Sequence, residues 1–415
     1  MNPGKKNTII VNCADGTVPF NHFWRSMGFI GGHNLFRDEY RQNIALCGSI
    51  PRRGIEYARI HTMLDLVFVD NLKHEMPDYE WSFLDKALEI LAGNGIKPFF
   101  ELMGNPSPLN CAREYMYPDA AGSAERLNTR LMGVRPPEGT GIFSDFTDSE
   151  QLYMWRRLIR DLACHCIERF GDDEVLSWYF ECWNEPDCPA WWRQFWENPQ
   201  SLCNYYDACS EGLLEAHPGL RLGGPGGQGN LNDTTKAFLA HCDSGTNYFT
   251  GEKGARLDFI SFHEKGATFC PEDIDPDSMG ICEREMRFVE HIRKNHPRLA
   301  DVPVMNNECD PQIGFGNIHT WRALPYYAAF AAKAINQHVL LLVDKLQCSY
   351  ELLSNDNGFT GRWGQRSLCA RFGSQEEIDR GNFAMVKKPV FNLMAGLTLL
   401  GDERCAVRQN QEPAS

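Results

Sequence analysis

The sequence predicts an α/β chain folded as one (β/α)8 TIM barrel, and three observations carry that expectation. Short apolar runs alternate with longer amphipathic stretches along the 415 residues, about eight times, which is the rhythm of parallel strands joined by crossover helices. Two of those runs stop abruptly at a carboxylate, Trp178 to Glu185 and Val302 to Glu308, as strands do when they deliver a side chain to a rim. A hydrophobic content of 43% supplies one large core more readily than several small modules.

Ile9 to Cys13 is a short β-rich run, and Phe23 to Phe29 is the first barrel strand, with Gly31-Gly32-His33 in the loop beyond it. Phe36 to Leu46 mixes charged and apolar residues as a helix does. Tyr57 to His61 is the second strand, and its alternation places Arg59 and His61 on one face. Trp81 to Ala92 carries apolar residues at helical spacing and is closed by Gly93 and Gly95, after which Ile96 to Met103 is a strand. Residues 108–141 break the rhythm with prolines, glycines and charges, the signature of an inserted loop. Gln151 to Phe170 is a helix ended by Gly171, and Trp178 opens the fourth strand. Then follow a helix from Asn204 to Ala216, strands at Leu220–Gly224 and Leu257–His263, and a helix from Glu283 to Asn295. The seventh strand starts at Val302, Trp321 to His338 is helical, Val339 to Val343 reads as the last strand, and Val386 to Leu399 as the last helix. The expected domains are an N-terminal strand segment over 1–20, a catalytic barrel over 21–402 and a tail over 403–415.

The chain turns on Trp178 to Asp187, which reads Trp-Tyr-Phe-Glu-Cys-Trp-Asn-Glu-Pro-Asp. Pro186 cannot donate to a sheet ladder, so it ends the strand and leaves Glu185 at the rim. Strict alternation would put Tyr179, Glu181, Trp183 and Glu185 on one face. Aromatic walls with carboxylates suit a sugar site, although Asn-Glu-Pro also ends strands that do no chemistry. Glu185 and Glu308 then stand at the carboxyl ends of the fourth and seventh strands, facing one cavity. Glycoside hydrolysis needs such a pair, one carboxyl as proton donor and the other as nucleophile or base. A partly apolar wall is expected to raise the Glu185 carboxyl into the acid role, while Asn306, Asn307 and Asp310 keep Glu308 ionised.

A net charge of −14 argues against a surface that tracks nucleic-acid phosphates. No run of apolar residues is long enough to span a membrane. Neither does the start of the chain resemble an export signal, so the expected location is cytoplasmic if the chain is complete, and lysosomal or secreted if a leader was removed. Sixteen cysteines without a small-domain framework read as reduced thiols. Cys164 and Cys166 flank His165 without a second ligand pair, so no metal is expected, and no cofactor. No residue pattern bears on oligomeric state.

Several blocks in one order resemble glycoside hydrolase family 39, of clan A, and within it the α-L-iduronidases. They are Phe23 to Ser26, Phe100 to Gly104, Trp183 to Asp187, Asn204 to Gly212, Lys265 to Ala267, Asn307 to Pro311 and Leu352 to Asn357. The resemblance implies Glu185 as acid/base and Glu308 as nucleophile. It implies sugar contacts at His33, His61, Asn184, Lys265, Gly314, Asp356 and Arg366. Lys265 and Arg366 would supply the cations that a uronate carboxylate requires; without the resemblance they would read as solvated surface charge, and Arg59 with Glu181 as a structural ion pair. The implied activity is retaining, exo-acting release of terminal α-L-iduronic acid from glycosaminoglycan-derived oligosaccharides. The alternative is β-D-xylosidase or β-D-glucuronidase activity on the same scaffold. Departures from the family pattern are the Ile30 to His33 loop, residues 108–141 and Phe315 where the family has a tryptophan. The family also continues into a β-sandwich and a further β-domain, of which Ile9 to Cys13 would be a remnant.

Overall fold

Eight parallel strands wind in sequence order around one axis: Ser26–Gly31, Tyr57–His61, Lys97–Glu101, Tyr179–Glu181, Leu222–Gly227, Phe259–Phe262, Val304–Asn306 and Tyr350–Leu353. The structure is a computed structural model that describes residues 8–111, 141–229, 231–266, 277–312, 319–354, 367–374, 376–377 and 380–410. The ring closes between the last strand and the first, where Leu353 N donates to Phe23 O at 2.8 Å and Ser354 Oγ to Ser26 O at 3.2 Å. This is the barrel expected from the alternation of runs.

Side chains alternate along each strand, and that period builds the interior in layers. Tyr57, Phe99, Tyr179, Phe259, Met305 and Leu352 form an apolar plug inside the barrel. Two residues further along the same strands come Arg59, Glu101, Glu181 and Ser261, all fully buried. A further step reaches His61 and His263 at the rim. The alternate positions face outward: Ala58, Ile60, Phe100, Phe180, Ile260 and Phe262 pack beneath the helices in the main core. The helix Ser149–Phe170 is capped by Asp148, whose side chain accepts from Glu150 N, and it buries Leu152, Trp155, Leu158, Ile159 and Leu162 at helical spacing.

Four expectations need correction. Val339 to Val343 is not a strand: it is a π-helical turn, Val339–Lys345, that extends the helix Pro325–His338, and the eighth strand comes later, at Tyr350–Leu353. A short apolar run fits a buried strand or a buried helix turn equally, and burial of Val339 and Leu342 three residues apart decides for the turn. The last helix is shorter, Pro389–Leu397, because Ala384–Lys387 pairs antiparallel with Cys369–Phe372. Residues placed in a tail form a strand, Glu403–Asn410, antiparallel to Thr8–Pro19. Trp183 does not share the inward face of Glu181, because the chain turns after that residue, and its ring packs against Trp192, Phe195 and Tyr205. Cys164, Cys166, Cys182, Cys188, Cys203, Cys209, Cys242, Cys282, Cys309 and Cys348 form no disulfide. Among the described residues no helix is long and apolar enough to cross a membrane.

Candidate active site

Glu185 follows the fourth strand in a left-handed backbone conformation, φ 40°, a strained state for a side-chain-bearing residue. Its N–H is held by Gly226 O at 2.8 Å. Gly226 itself sits at φ +62°, where a Cβ would meet the Glu181 carboxylate at 3.2 Å, so only glycine serves both demands. Glu308 follows the seventh strand, and its N–H donates to Asn306 Oδ1 at 3.3 Å.

The two carboxylates face each other. One oxygen of Glu185, one oxygen of Glu308 and a ring nitrogen of His263 all lie within 4.8 Å of one another. Lys265 joins them, with Nζ 2.7 Å from Glu308 Oε2 and 3.4 Å from Glu185 Oε1. His263 Nδ1 is 2.9 Å from Glu185 Oε1 and 3.5 Å from Glu308 Oε2. Burial and the nearby Arg59 charge push His263 well below the usual imidazole range, so the ring is neutral. Its proton must lie on Nδ1 to satisfy a carboxylate, which leaves Nε2 as a buried acceptor without a hydrogen-bond partner among the described residues.

Beneath Glu308 lies Arg59, whose Nη1 donates to Glu308 Oε1 at 3.1 Å, Nε to Glu181 Oε2 at 2.7 Å and Nη2 to Asn184 Oδ1 at 3.0 Å, with Glu101 as a further ion-pair partner. His61 bonds Glu101 through Nδ1 and places Nε2 4.0 Å from Glu308 Oε1. Two permanent cations, Arg59 and Lys265, therefore serve four carboxylates: Glu101, Glu181, Glu185 and Glu308. Burial lifts Glu181, with the Glu101 charge adding to it against Arg59. Burial also works to raise Glu101, but Arg59 and His61 hold it below the ordinary range. For Glu185, burial raises the carboxyl, yet the Lys265 charge and the His263 hydrogen bond prevail and hold it well below the usual range. This overturns the expectation that an apolar wall lifts Glu185, because tertiary packing brings donors and a cation from the sixth strand to its inner oxygen.

Of the residues expected to touch a sugar, the structure brings His61, Asn184 and Lys265 together around the two glutamates. Asn184 Nδ2 is buried and makes no hydrogen bond to a described residue. His33 is buried in the short 3-10 turn Gly32–Phe36 beyond the first strand. Gly314, Asp356 and Arg366, like Phe315, lie outside the described residues.

The model of the family Glycosyl hydrolases family 39 matches residues 7–117 and 132–412. The chain belongs to that family. It is 36% identical to mouse α-L-iduronidase (Mus musculus) over 95% of this chain and 58% of the relative, and 35% identical to the human protein (Homo sapiens) over 95% and 56%. A β-xylosidase of Caldicellulosiruptor saccharolyticus is 25% identical over 79% of the chain. Among solved structures, a crystal structure of the bacterial orthologue of human α-L-iduronidase superposes with a TM-score of 0.80 at 36% identity, covering 95% of this chain and 59% of that one. A β-xylosidase from Caulobacter crescentus, at 19% identity and a TM-score of 0.66, shares the fold. The chain thus spans somewhat over half the length of the iduronidases it matches.

The family 39 site contains residues that sequence reasoning did not select. His263 directly follows the sixth strand, two positions before Lys265, and both side chains reach Glu185 and Glu308. Glu101 lay inside a block quoted for the resemblance without a role. Trp191 and Gln228 carried no signal, since only the turn of the chain after the fourth and fifth strands brings both onto Glu185.

Proposed function

We propose that the protein is a retaining exo-glycosidase that releases terminal α-L-iduronic acid from glycosaminoglycan-derived oligosaccharides, with Glu185 as acid/base and Glu308 as nucleophile. The observation that carries this reading is the close approach of the two carboxylates, one oxygen of each lying within 4.8 Å of the other. Retaining enzymes hold their carboxyl groups about 5–5.5 Å apart, whereas inverting ones leave about 6.5–9.5 Å for a water molecule. Glu308 attacks the anomeric carbon and forms a glycosyl ester as Glu185 gives its proton to the departing oxygen. Glu185 then takes a proton from water, which cleaves the ester and frees the sugar with its anomeric configuration retained.

The partly unpaired polar groups support a hydroxyl-rich ligand. An orphaned buried amide costs about 1–3 kcal/mol, and a sugar hydroxyl accepting from Asn184 Nδ2 recovers it. Similarly, His263 Nε2 would accept from a hydroxyl. Lys265, inside the site, is a cation that would meet a C5 carboxylate, and the similarity to α-L-iduronidases supports that reading. His33, His61, Gly314, Asp356 and Arg366 are proposed as further sugar contacts on the resemblance alone.

A second reading, β-D-xylosidase or β-D-glucuronidase, is favoured by one observation: the Lys265 ammonium is engaged with both glutamates, a role that a neutral sugar also needs. Aryl α-L-iduronide, β-D-glucuronide and β-D-xyloside assayed side by side decide between them. Preferred turnover of the iduronide is expected; preference for the xyloside would transfer the assignment to the second reading.

A further inference from the structure

Glu185 has two differently served oxygens. Oε1 points inward to fully buried His263 at 2.9 Å and to Lys265 at 3.4 Å. Oε2 points away from them, accepting from Trp191 Nε1 at 3.0 Å and Gln228 Nε2 at 3.3 Å. Trp191 is half-buried and Gln228 exposed, so the groups that serve this outer oxygen are more open to solvent than those that serve Oε1. Both residues are fixed: Trp191 N donates to Cys188 O at 3.1 Å, and Gln228 N to the Asp187 carboxylate at 3.0 and 3.1 Å. Apart from His61, at 5.4 Å and tilted by 52°, no ring of a described residue packs on the Trp191 indole.

A general acid stands at the scissile oxygen, between the sugar that reacts and the group that leaves. Glu308 and its partners define the reacting side. The leaving group therefore lies on the other side, toward Oε2, where the indole, met by His61 from the reacting side and pinned by its edge, would offer its remaining face to a pyranose ring and an exposed amide would offer hydrogen bonds to its hydroxyls. We propose that Trp191 and Gln228 form the leaving-group subsite, with the Trp191 indole as the platform for the sugar ring bonded through the scissile oxygen. The inference rests on the glycosidase reading and adds a determinant of which aglycone is accepted.

The test compares a disaccharide with the glycosyl fluoride of the same glycone and anomeric configuration, because fluoride has no ring to stack. Trp191→Ala should lower kcat/KM for the disaccharide, chiefly through KM, by about tenfold or more beyond whatever the loss of its hydrogen bond to Glu185 costs the fluoride. Trp191→Phe keeps a ring, so its disaccharide-to-fluoride ratio, taken at the pH optimum of each protein and substrate, should remain near the parent's. It also removes the N–H that stabilises ionised Glu185, so the alkaline limb of its pH profile should move upward. Gln228→Ala should lower the ratio by a smaller factor, and it tests the subsite if Trp191→Ala melts early. Equal losses on both substrates in Trp191→Ala, or a ratio that collapses as far in Trp191→Phe, would overturn the proposal, as would an unmoved ratio in Trp191→Ala and Gln228→Ala alike. The glycone is whichever the parent hydrolyses. A parent active only on xylosides defeats the iduronide reading and leaves this comparison intact, whereas a parent inert to every glycone removes both.

Discussion

Lys265 Nζ lies 2.7 Å from Glu308 Oε2 and reaches Glu185 Oε1 as well, so the cation expected to read the substrate's carboxylate also ties together the two groups proposed to do the chemistry. Its loss is therefore expected to act on every substrate, with an additional loss where the substrate carries a carboxylate. Lys265→Met should lower kcat/KM for a neutral xyloside and lower it for an α-L-iduronide by about one further order of magnitude, the weight of one charge-assisted hydrogen bond. Equal losses would remove the uronate contact; an untouched xyloside rate would show that Lys265 does not tune the glutamates.

The pH profile follows from the same contact. Burial works to raise Glu185, but Lys265 and His263 hold it well below the ordinary carboxylate range in the ligand-free state. An acid must be protonated to act, so activity is lost as pH rises through that value. Removing the cation lets the Glu185 value rise, and the alkaline limb of kcat/KM for Lys265→Met should move to higher pH. A limb that stays in place would detach Glu185 from the acid role. A uronate that draws Lys265 away has the same effect on binding, so kcat for the uronide should hold to higher pH than kcat/KM.

The roles of the glutamates separate by leaving group. Glu308→Gln should be inactive on every glycoside, since no ester can form. Glu185→Gln should keep measurable activity on an activated aryl glycoside or fluoride, which departs without a proton. Equal loss in both variants would reverse or cancel the assignment.

Behind the seventh strand a buried pair supports the segment that carries Glu308. His338 Nε2 lies 3.1 Å from Glu285 Oε2, Tyr350 Oη donates to Glu285 at 3.0 Å, and Asn306 Nδ2 donates to it at 2.7 Å. Burial alone would lower His338, but the Glu285 charge raises it well above the usual value, so the ring is charged. A raised folded value contributes stability that is complete below the unfolded value, about 6.5, and is lost as pH climbs from there through the folded value. His338→Gln should destabilise by about 3–5 kcal/mol near pH 6 by leaving Glu285 unpaired, and by less at higher pH. Melting curves of both proteins between pH 6 and pH 9 measure this convergence, and parallel curves would rule it out.

The sequence by itself determined the barrel and the places of its two glutamates. Alternating short and long periodicities leave few ways to bury their apolar faces, and a strand that stops at a carboxylate marks the rim whatever surrounds it. Periodicity also carried the inward step from Tyr57 through Arg59 to His61, because it is local to one strand. It failed where one apolar run serves two structures equally, as at Val339 to Val343, and where the chain turns, as at Trp183. The protonation landscape was decided only by tertiary structure. Glu185 is held low because Lys265 and His263 arrive from the sixth strand, about 80 residues away in the chain, and electrostatic interactions depend on separation in space rather than in sequence. The same holds for Trp191 and Gln228, which meet at one carboxylate oxygen only after the barrel has closed.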